Sequence, residues 1–219
     1  RNRIQRSVGY HSPKGMYTDR QTSRKKENTM KKDIILAGVG GQGILSIAAV
    51  IGEAALKEGF NIKQAEVHGM SQRGGDVQSN LRISSNPIAS DLIPKGCADI
   101  IISLEPMEAL RYLPWLSKEG WIVTNTTPFV NIPNYPQIES IMEELRKIKN
   151  TILVDVDTIA RDVGNPRGAN IVLLGACSHL LGMELQKFEE GIRRIFSDKG
   201  EEVVEANLKA FRAGQAASL

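Results

Sequence analysis

KDIILAGVGGQGILSIAAVIGEAALK, residues 32–57, decides the fold class. Ile34, Ile35, Leu36 and Ala37 make a short apolar run suited to a strand buried on both faces. Gly38, Gly40, Gly41 and Gly43 follow at a density that marks a loop where the backbone turns tightly or is approached closely. Ile44 to Lys57 is apolar around most of a helical circumference and predicts a mostly buried helix. Strand, glycine loop and helix together open an α/β domain. They place backbone N–H groups at a helix N-terminus, where an anion or a partner's backbone can approach.

Outward from this stretch, strands and helices alternate. Strands are expected at Ile62 to Val67, Val77 to Ser84, Asp99 to Leu104, Trp121 to Asn125 and Thr151 to Val156. Val77 to Ser84 alternates apolar and polar residues, as a half-exposed strand does. The turn at Asn86-Pro87 predicts a hairpin with a short strand near Ile88 and Ala89. Pro106 opens a short helix. Gln137 to Lys149 carries Ile138, Ile141, Met142, Leu145 and Ile148 on one stripe, with Glu143 and Lys147 spaced for an ion pair. From Asp157 onward the pattern is helical only: Asp157 as a cap for Thr158 to Val163, then Ala169 to Leu181, Lys187 to Phe196, and Glu201 to Ala213 with Gly214 as the C-cap. The expected fold is α/β: a three-layer, Rossmann-like, mostly parallel sheet with a hairpin insertion and a helical C-terminal extension.

The 219 residues suffice for one such domain. The net charge of +3 is unevenly spread. Residues 1–29 hold eight Lys and Arg against two Asp and Glu, leaving 20 against 23 in the rest. The folded part is mildly acidic and offers no nucleic-acid surface. Residues 1–29, polar, basic and without period, are expected to be a disordered leader outside the fold. A transit peptide or a nucleic-acid arm is the alternative reading of that segment. Residues 30–219 are expected to form a single domain. Cys97 and Cys177 stand alone, with no C-x-x-C, so neither a zinc site nor a cysteine-held iron–sulfur cluster can be built from them. A reducing, cytoplasmic setting is the simpler reading. The longest mainly apolar run, Ile171 to Leu181, falls short of the ~20 residues that span a bilayer.

Two stretches carry candidate chemistry. Gly38-Val39-Gly40-Gly41-Gln42-Gly43 satisfies G-x-G-x-x-G between strand and helix, and Glu66 lies where a ribose-binding acid belongs. That supports one reading, a stand-alone Rossmann-like dinucleotide-binding protein. On the other reading the glycines permit tight strand–helix packing and the approach of a neighbouring segment. The second stretch is EVHGMSQRGG, residues 66–75. His68, Ser71, Gln72 and Arg73 offer donors, acceptors and one permanent charge, while Gly69, Gly74 and Gly75 allow tight turns. The loop is expected beside the glycine loop, at the carboxyl edge of the sheet where α/β ligands bind. A phosphate or carboxylate would suit Arg73. A Ser71–His68 nucleophile pair lacks an identifiable acid. Glu105, Asn125 and Asn165 are secondary candidates at strand ends or loops, each also explained by first-turn or turn chemistry. No catalytic residue is assigned.

GVGGQG after the first strand, EVHGMSQRGG after the second, SNLRI, LIPKGCADIIISLEPMEALR and GNPRGANIVLLGA occur in this order from about Met30 to Phe211. This series resembles the gamma-type subunit of 2-oxoacid:ferredoxin oxidoreductases, and EVHGM with QRGG and LIPxGxAD resembles the indolepyruvate branch in particular. The resemblance implies a small subunit of a complex that decarboxylates aryl-2-oxoacids oxidatively with coenzyme A and passes electrons to ferredoxin. It implies no cofactor or metal in this chain. Thiamine diphosphate, Mg and [4Fe–4S] clusters would belong to a large partner subunit, with coenzyme A as co-substrate of the complex and no membrane or nucleic-acid partner. Neither a four-cysteine cluster motif nor the family's GDG…Asn-Asn thiamine motif occurs here. Cofactors carry such chemistry, so this chain would position, shield or help bind substrate.

Overall fold

A computed structural model describes residues 29–68, 75–130 and 132–218. The expectations for the basic leader, and for Gly69, Ser71, Gln72, Arg73 and Gly74, lie outside the described residues. Among the described residues one sheet contains β1 (Lys31–Val39), β2 (Asn61–His68), β3 (Asp76–Ser84), β4 (Ala98–Ser103), β5 (Leu116–Asn125) and β6 (Thr151–Val154), in the order β2-β3-β1-β4-β5-β6. The helices are α1 (Ile44–Lys57), α2 (Pro106–Arg111), α3 (Ile138–Arg146), α4 (Val156–Asp162), α5 (Ala169–Cys177), α6 (Leu185–Phe196) and α7 (Glu201–Ala217).

Pairing is parallel along β1-β4-β5-β6, while β3 runs antiparallel to both β1 and β2. The expected α/β sheet is therefore a mixed one. Its hairpin differs from the sequence expectation: β3 pairs with β2, and no strand forms at Ile88 and Ala89. Both sides of β3 are already taken by β1 and β2, so no edge is left for a further strand. Instead Arg82 holds the following segment, its Nη1 donating to the carbonyl oxygens of Ser90 and Leu92.

β1 shows why a continuous apolar run was required. Ile34 and Leu36 enter the core beneath α1, α5, α6 and α7, whereas Ile35 and Ala37 enter the second core under α2 and α3. Ile100 and Ile102 against Ile101 in β4 repeat the division. Asp33 is the exception in β1. It is buried, paired with the Arg82 Nε at 2.7 Å and Nη2 at 3.1 Å, and with the Lys31 ammonium. Burial alone would raise its pKa, but the hydrogen bonds from Arg82 and Lys31 outweigh that and hold it below the usual carboxylate range.

Several local expectations are corrected. Asp155, not Asp157, caps α4: its side chain accepts from the Thr158 N–H at 3.0 Å. Asp157 instead lies in the first turn. Lys147 pairs with Glu144 rather than Glu143, because α3 ends at Arg146 and Lys147 is already its C-cap. α5 stops at Cys177 and continues as a tighter turn over Ser178–Leu180, where the Ser178 hydroxyl donates to the Gly175 carbonyl at 2.8 Å. Gly214 is no cap. It lies inside α7 where that helix crosses α5, and a Cβ there would sit 1.9 Å from the Val172 carbonyl oxygen. A Cβ on Gly175 would sit 2.0 Å from that of Phe211, so the crossing exists only because both positions lack a side chain.

Candidate functional site

The carboxyl ends of β1, β4, β5 and β6 lie at one edge of the sheet. Chain direction changes there: β1 leads through α1 toward β2 on one side, β4 leads through α2 to β5 on the other. The crevice between β1 and β4 is the topological switch point, where an open α/β sheet ordinarily receives its ligand.

That crevice is bridged by the Gln42 side chain. The Val39 N–H donates to Gln42 Oε1 at 2.7 Å, and Gln42 Nε2 donates to the Leu104 carbonyl at 3.2 Å. Gly38, the last residue but one of β1, leaves the space: a Cβ there would lie 2.9 Å from Gln42 Oε1. Gly41 and Gly43 have φ of +102° and +88°, values that favour glycine. A Cβ on Gly43 would lie 2.6 Å from the Asn170 amide nitrogen, which donates to the Gly43 carbonyl at 3.1 Å. The Gly40 N–H donates to the Gly75 carbonyl at 2.8 Å. The glycines thus let neighbouring segments come close. Glu66 does not meet the loop as a ribose-binding acid would: β3 stands between β2 and β1, and both Glu66 and Leu36 are in register with Ser79. The Gln64 amide donates to Glu66 at 3.1 Å. Glu66 therefore does not supply the ribose contact of a dinucleotide site at this loop.

Asn125, at the end of β5, extends the same stitching. Its Nδ2 donates to the carbonyls of Leu104 at 3.4 Å and Thr127 at 3.2 Å and to Asp157 Oδ2 at 2.9 Å, while its Oδ1 accepts from the N–H groups of Thr127 and Val156. One carboxamide therefore joins the loops after β4, β5 and β6. Glu105, fully buried at the end of β4, caps α2 by accepting from the Glu108 N–H at 2.9 Å. Its other oxygen accepts from the Phe129 N–H at 3.3 Å and from the Tyr135 hydroxyl. Burial, and then this bond to a carboxylate, push the Tyr135 hydroxyl well above the usual tyrosine range. Next to this group, burial raises the Glu108 carboxyl despite its bond to Arg111. The same effect, with the charges of Asp76 and Glu108, pushes Tyr112 up to about 12.

Of the residues singled out in the sequence, the structure joins Gln42 of the glycine loop with Asn125 at the Leu104 carbonyl, while Glu105 holds Phe129 beside them. Gln42 and Asn125 line a cleft of about 360 Å³ with Thr127, Phe129, Asp155 and Arg161. Asn165 is not brought to it. Its amide donates to Asn207 Oδ1 at 3.4 Å, and it lines a separate cleft of about 560 Å³ with Ser46, Arg167 and Asn170. His68 closes β2 opposite Val77, and Gly75 approaches Gly40. Asn170 and Tyr135 escaped the sequence reading, and Asp157, expected as a helix cap, is instead the acceptor of the Asn125 amide. Asn170 lies inside GNPRGANIVLLGA, but nothing local marks it as the neighbour of Gly43.

Among the described residues no three His, Cys, Asp or Glu side chains gather to hold a metal. Cys97 is exposed and Cys177 buried, its thiol pushed above the ordinary range by burial. These residues do not fit an iron–sulfur cluster.

Residues 33–217 match the model of the family described as pyruvate ferredoxin/flavodoxin oxidoreductase. The chain belongs to that family. Subunit IorB of the indolepyruvate oxidoreductase of Archaeoglobus fulgidus is 37% identical over 194 residues, 84% of this chain and 94% of that protein. The gamma subunit of a keto/oxoacid ferredoxin oxidoreductase from Geobacter sulfurreducens superposes with a TM-score of 0.64 at 27% identity, covering 86% of this chain and 97% of that one. The 2-oxoglutarate:ferredoxin oxidoreductase of Magnetococcus marinus shares the fold, with a TM-score of 0.68 at 22% identity, but this chain covers only 31% of that one. The pyruvate ferredoxin/flavodoxin oxidoreductase fold thus occurs both as a short chain and as a part of a longer one. The resemblance drawn from the motif series holds, and the stand-alone dinucleotide-binding alternative gains no support. Among the described residues no helix is long and apolar enough to cross a membrane.

Proposed function

We propose that this chain is the small subunit of a cytoplasmic 2-oxoacid:ferredoxin oxidoreductase acting on aryl-2-oxoacids, indole-3-pyruvate first among them. The observation that carries this reading is the 37% identity to an indolepyruvate oxidoreductase subunit across 94% of that protein. Residues 30–219 act as one domain. Thiamine diphosphate, Mg and the [4Fe–4S] clusters reside on the large partner subunit, coenzyme A is the co-substrate, and ferredoxin receives the electrons through the complex. The scattered cysteines and the Gln42-bridged crevice support a chain that shapes and shields a site rather than holding the redox groups. The glycine loop and the EVHGMSQRGG stretch serve binding of the partner or the substrate. Arg73 supplies an anion contact there, so Arg73→Ala loses about 1.5–3 kcal/mol of that interaction.

Co-expression with the large subunit tests the proposal. The complex should reduce ferredoxin with indole-3-pyruvate and coenzyme A, more efficiently than with pyruvate or 2-oxoglutarate, and neither subunit should do so alone. Full turnover by the large subunit without this chain would refute it. A preference for pyruvate would refute the substrate assignment alone.

A further inference from the structure

Exposed large apolar side chains on the described surface include Leu45, Leu185, Ile195 and Val203 on helices α1, α6 and α7. Leu56, Leu92 and Leu113 belong to separate segments, and isolated exposed leucines are ordinary. Phe129, Val130 and Ile132 come from one loop and are 43%, 67% and 36% exposed. That loop leaves β5 at the carboxyl edge, and Phe129 shares a cleft with Gln42.

Thr127, Phe129 and Tyr135 are braced rather than loose. The Thr127 N–H is held by Asn125, and the Phe129 N–H and the Tyr135 hydroxyl are both held by the buried Glu105 carboxyl. Pro128, Pro133 and Pro136 fix φ at three further points. Burying the acid of Glu105 is costly unless it is hydrogen-bonded. Here two of its bonds hold a loop whose apolar side chains stay partly in water, Val130 most of all, so that surface gains nothing from the fold itself. A pre-organised apolar projection of this kind loses little entropy when it is covered.

We propose that Phe129 and Val130, on the loop that leaves β5, are the anchor by which this chain docks on its larger partner subunit, seated in an apolar pocket of that subunit. The inference rests on the small-subunit reading above. Two observations favour a larger partner over a second copy of this chain. In the Magnetococcus protein the same fold is 31% of a longer chain and so lies beside a larger body of polypeptide. In addition, the cleft beside the loop carries Asp155 and Asp157 against Arg161. The Asp155 carboxyl is held below the usual range, first by the Thr158 backbone N–H, and a two-fold contact would bring like charges together. The partner's pocket is accordingly apolar with a basic rim. A stable interface buries roughly 800 Å² per side, so the loop forms its centre and not its whole extent.

The test compares Phe129→Ser, Val130→Ser and Val130→Glu with Leu56→Glu, at the amino edge, in the full chain co-expressed with a tagged large subunit. Retention on the tag and the melting temperature of the isolated chain are both measured. The three loop variants should keep the wild-type melting temperature and lose retention by at least about tenfold, with Leu56→Glu unaffected. Equal retention of all variants overturns the inference and leaves the small-subunit reading standing. Failure of the wild-type chain to be retained overturns both. A wild-type homodimer that Val130→Glu splits, with retention on the large subunit unchanged, identifies a second copy as the occupant and also overturns the inference.

Discussion

The carboxamides of Gln42 and Asn125 both donate to the carbonyl oxygen of Leu104, at 3.2 and 3.4 Å. One arrives from the glycine loop after β1 and the other from the end of β5, so a single acceptor at the end of β4 ties three strand ends together. A carbonyl has two lone pairs, and here both are used. Gln42→Ala should therefore cost about 1–3 kcal/mol, the range for stranding buried polar partners, here the Val39 N–H and one Leu104 lone pair. Urea denaturation measures it. A loss below a few tenths of a kilocalorie would mean that water replaces the bridge without penalty.

Asn125→Asp should be more damaging at neutral pH than Asn125→Ser. The new carboxylate would face Asp157 Oδ2 and two carbonyls where an amide now donates. A like charge raises its pKa, so folding takes up a proton, and the deficit should shrink as pH falls through the carboxylate range. The double variant Asn125→Asp/Asp157→Asn restores one donor to the pair and should recover about 1 kcal/mol or more of coupling in a double-mutant cycle. Thermal melts between pH 4 and 8 follow both effects.

Glycine-to-alanine changes at the α5–α7 crossing and inside α1 should have opposite signs. Gly175→Ala and Gly214→Ala place a methyl group 2.0 and 1.9 Å from facing carbonyl oxygens and should each destabilise by about 1–3 kcal/mol, or more if the helices cannot separate. Gly52→Ala, inside α1, meets nothing nearer than Ile62 Cδ1 at 4.0 Å and should stabilise by about 0.4–1 kcal/mol. Denaturant midpoints of the three variants settle the matter, and a uniform sign would contradict the packing.

Arg82→Met should cost about 3–5 kcal/mol at neutral pH, since it leaves the buried Asp33 carboxylate with Lys31 alone and releases Ser90 and Leu92. The folded pKa of Asp33 lies below its ordinary value. Its contribution is thus present above that value and is lost as pH falls through the folded pKa. The gap between variant and wild type should narrow below about pH 4, read from pH-dependent unfolding.

The two described tyrosines should ionise late. In an ultraviolet difference titration Tyr112→Phe should remove a step near pH 12, and Tyr135→Phe one beyond it. If Tyr135 titrates near pH 10, like a free tyrosine, its bond to Glu105 is absent in solution.

Sequence pattern alone was enough for the α/β class, for β1 and α1, for most strand positions and for the family, because these depend on periodicity and on ordered motifs along the chain. An apolar run with period shared between two cores, as at Ile34 to Ala37, is written locally. So is the glycine requirement at Gly41 and Gly43, which is a matter of backbone angle. Partner choice is not local. Only the tertiary structure seats β3 between β1 and β2, which takes Glu66 away from the glycine loop and leaves no edge for Ile88 and Ala89. It alone turns Gly214 from a cap into a helix contact and brings Asn170 to Gly43 across 127 positions of sequence. The physical reason is that hydrogen-bond acceptors and close-packed volumes are shared among segments distant in the chain. A local pattern specifies what a residue needs, and the assembled sheet determines which neighbour supplies it.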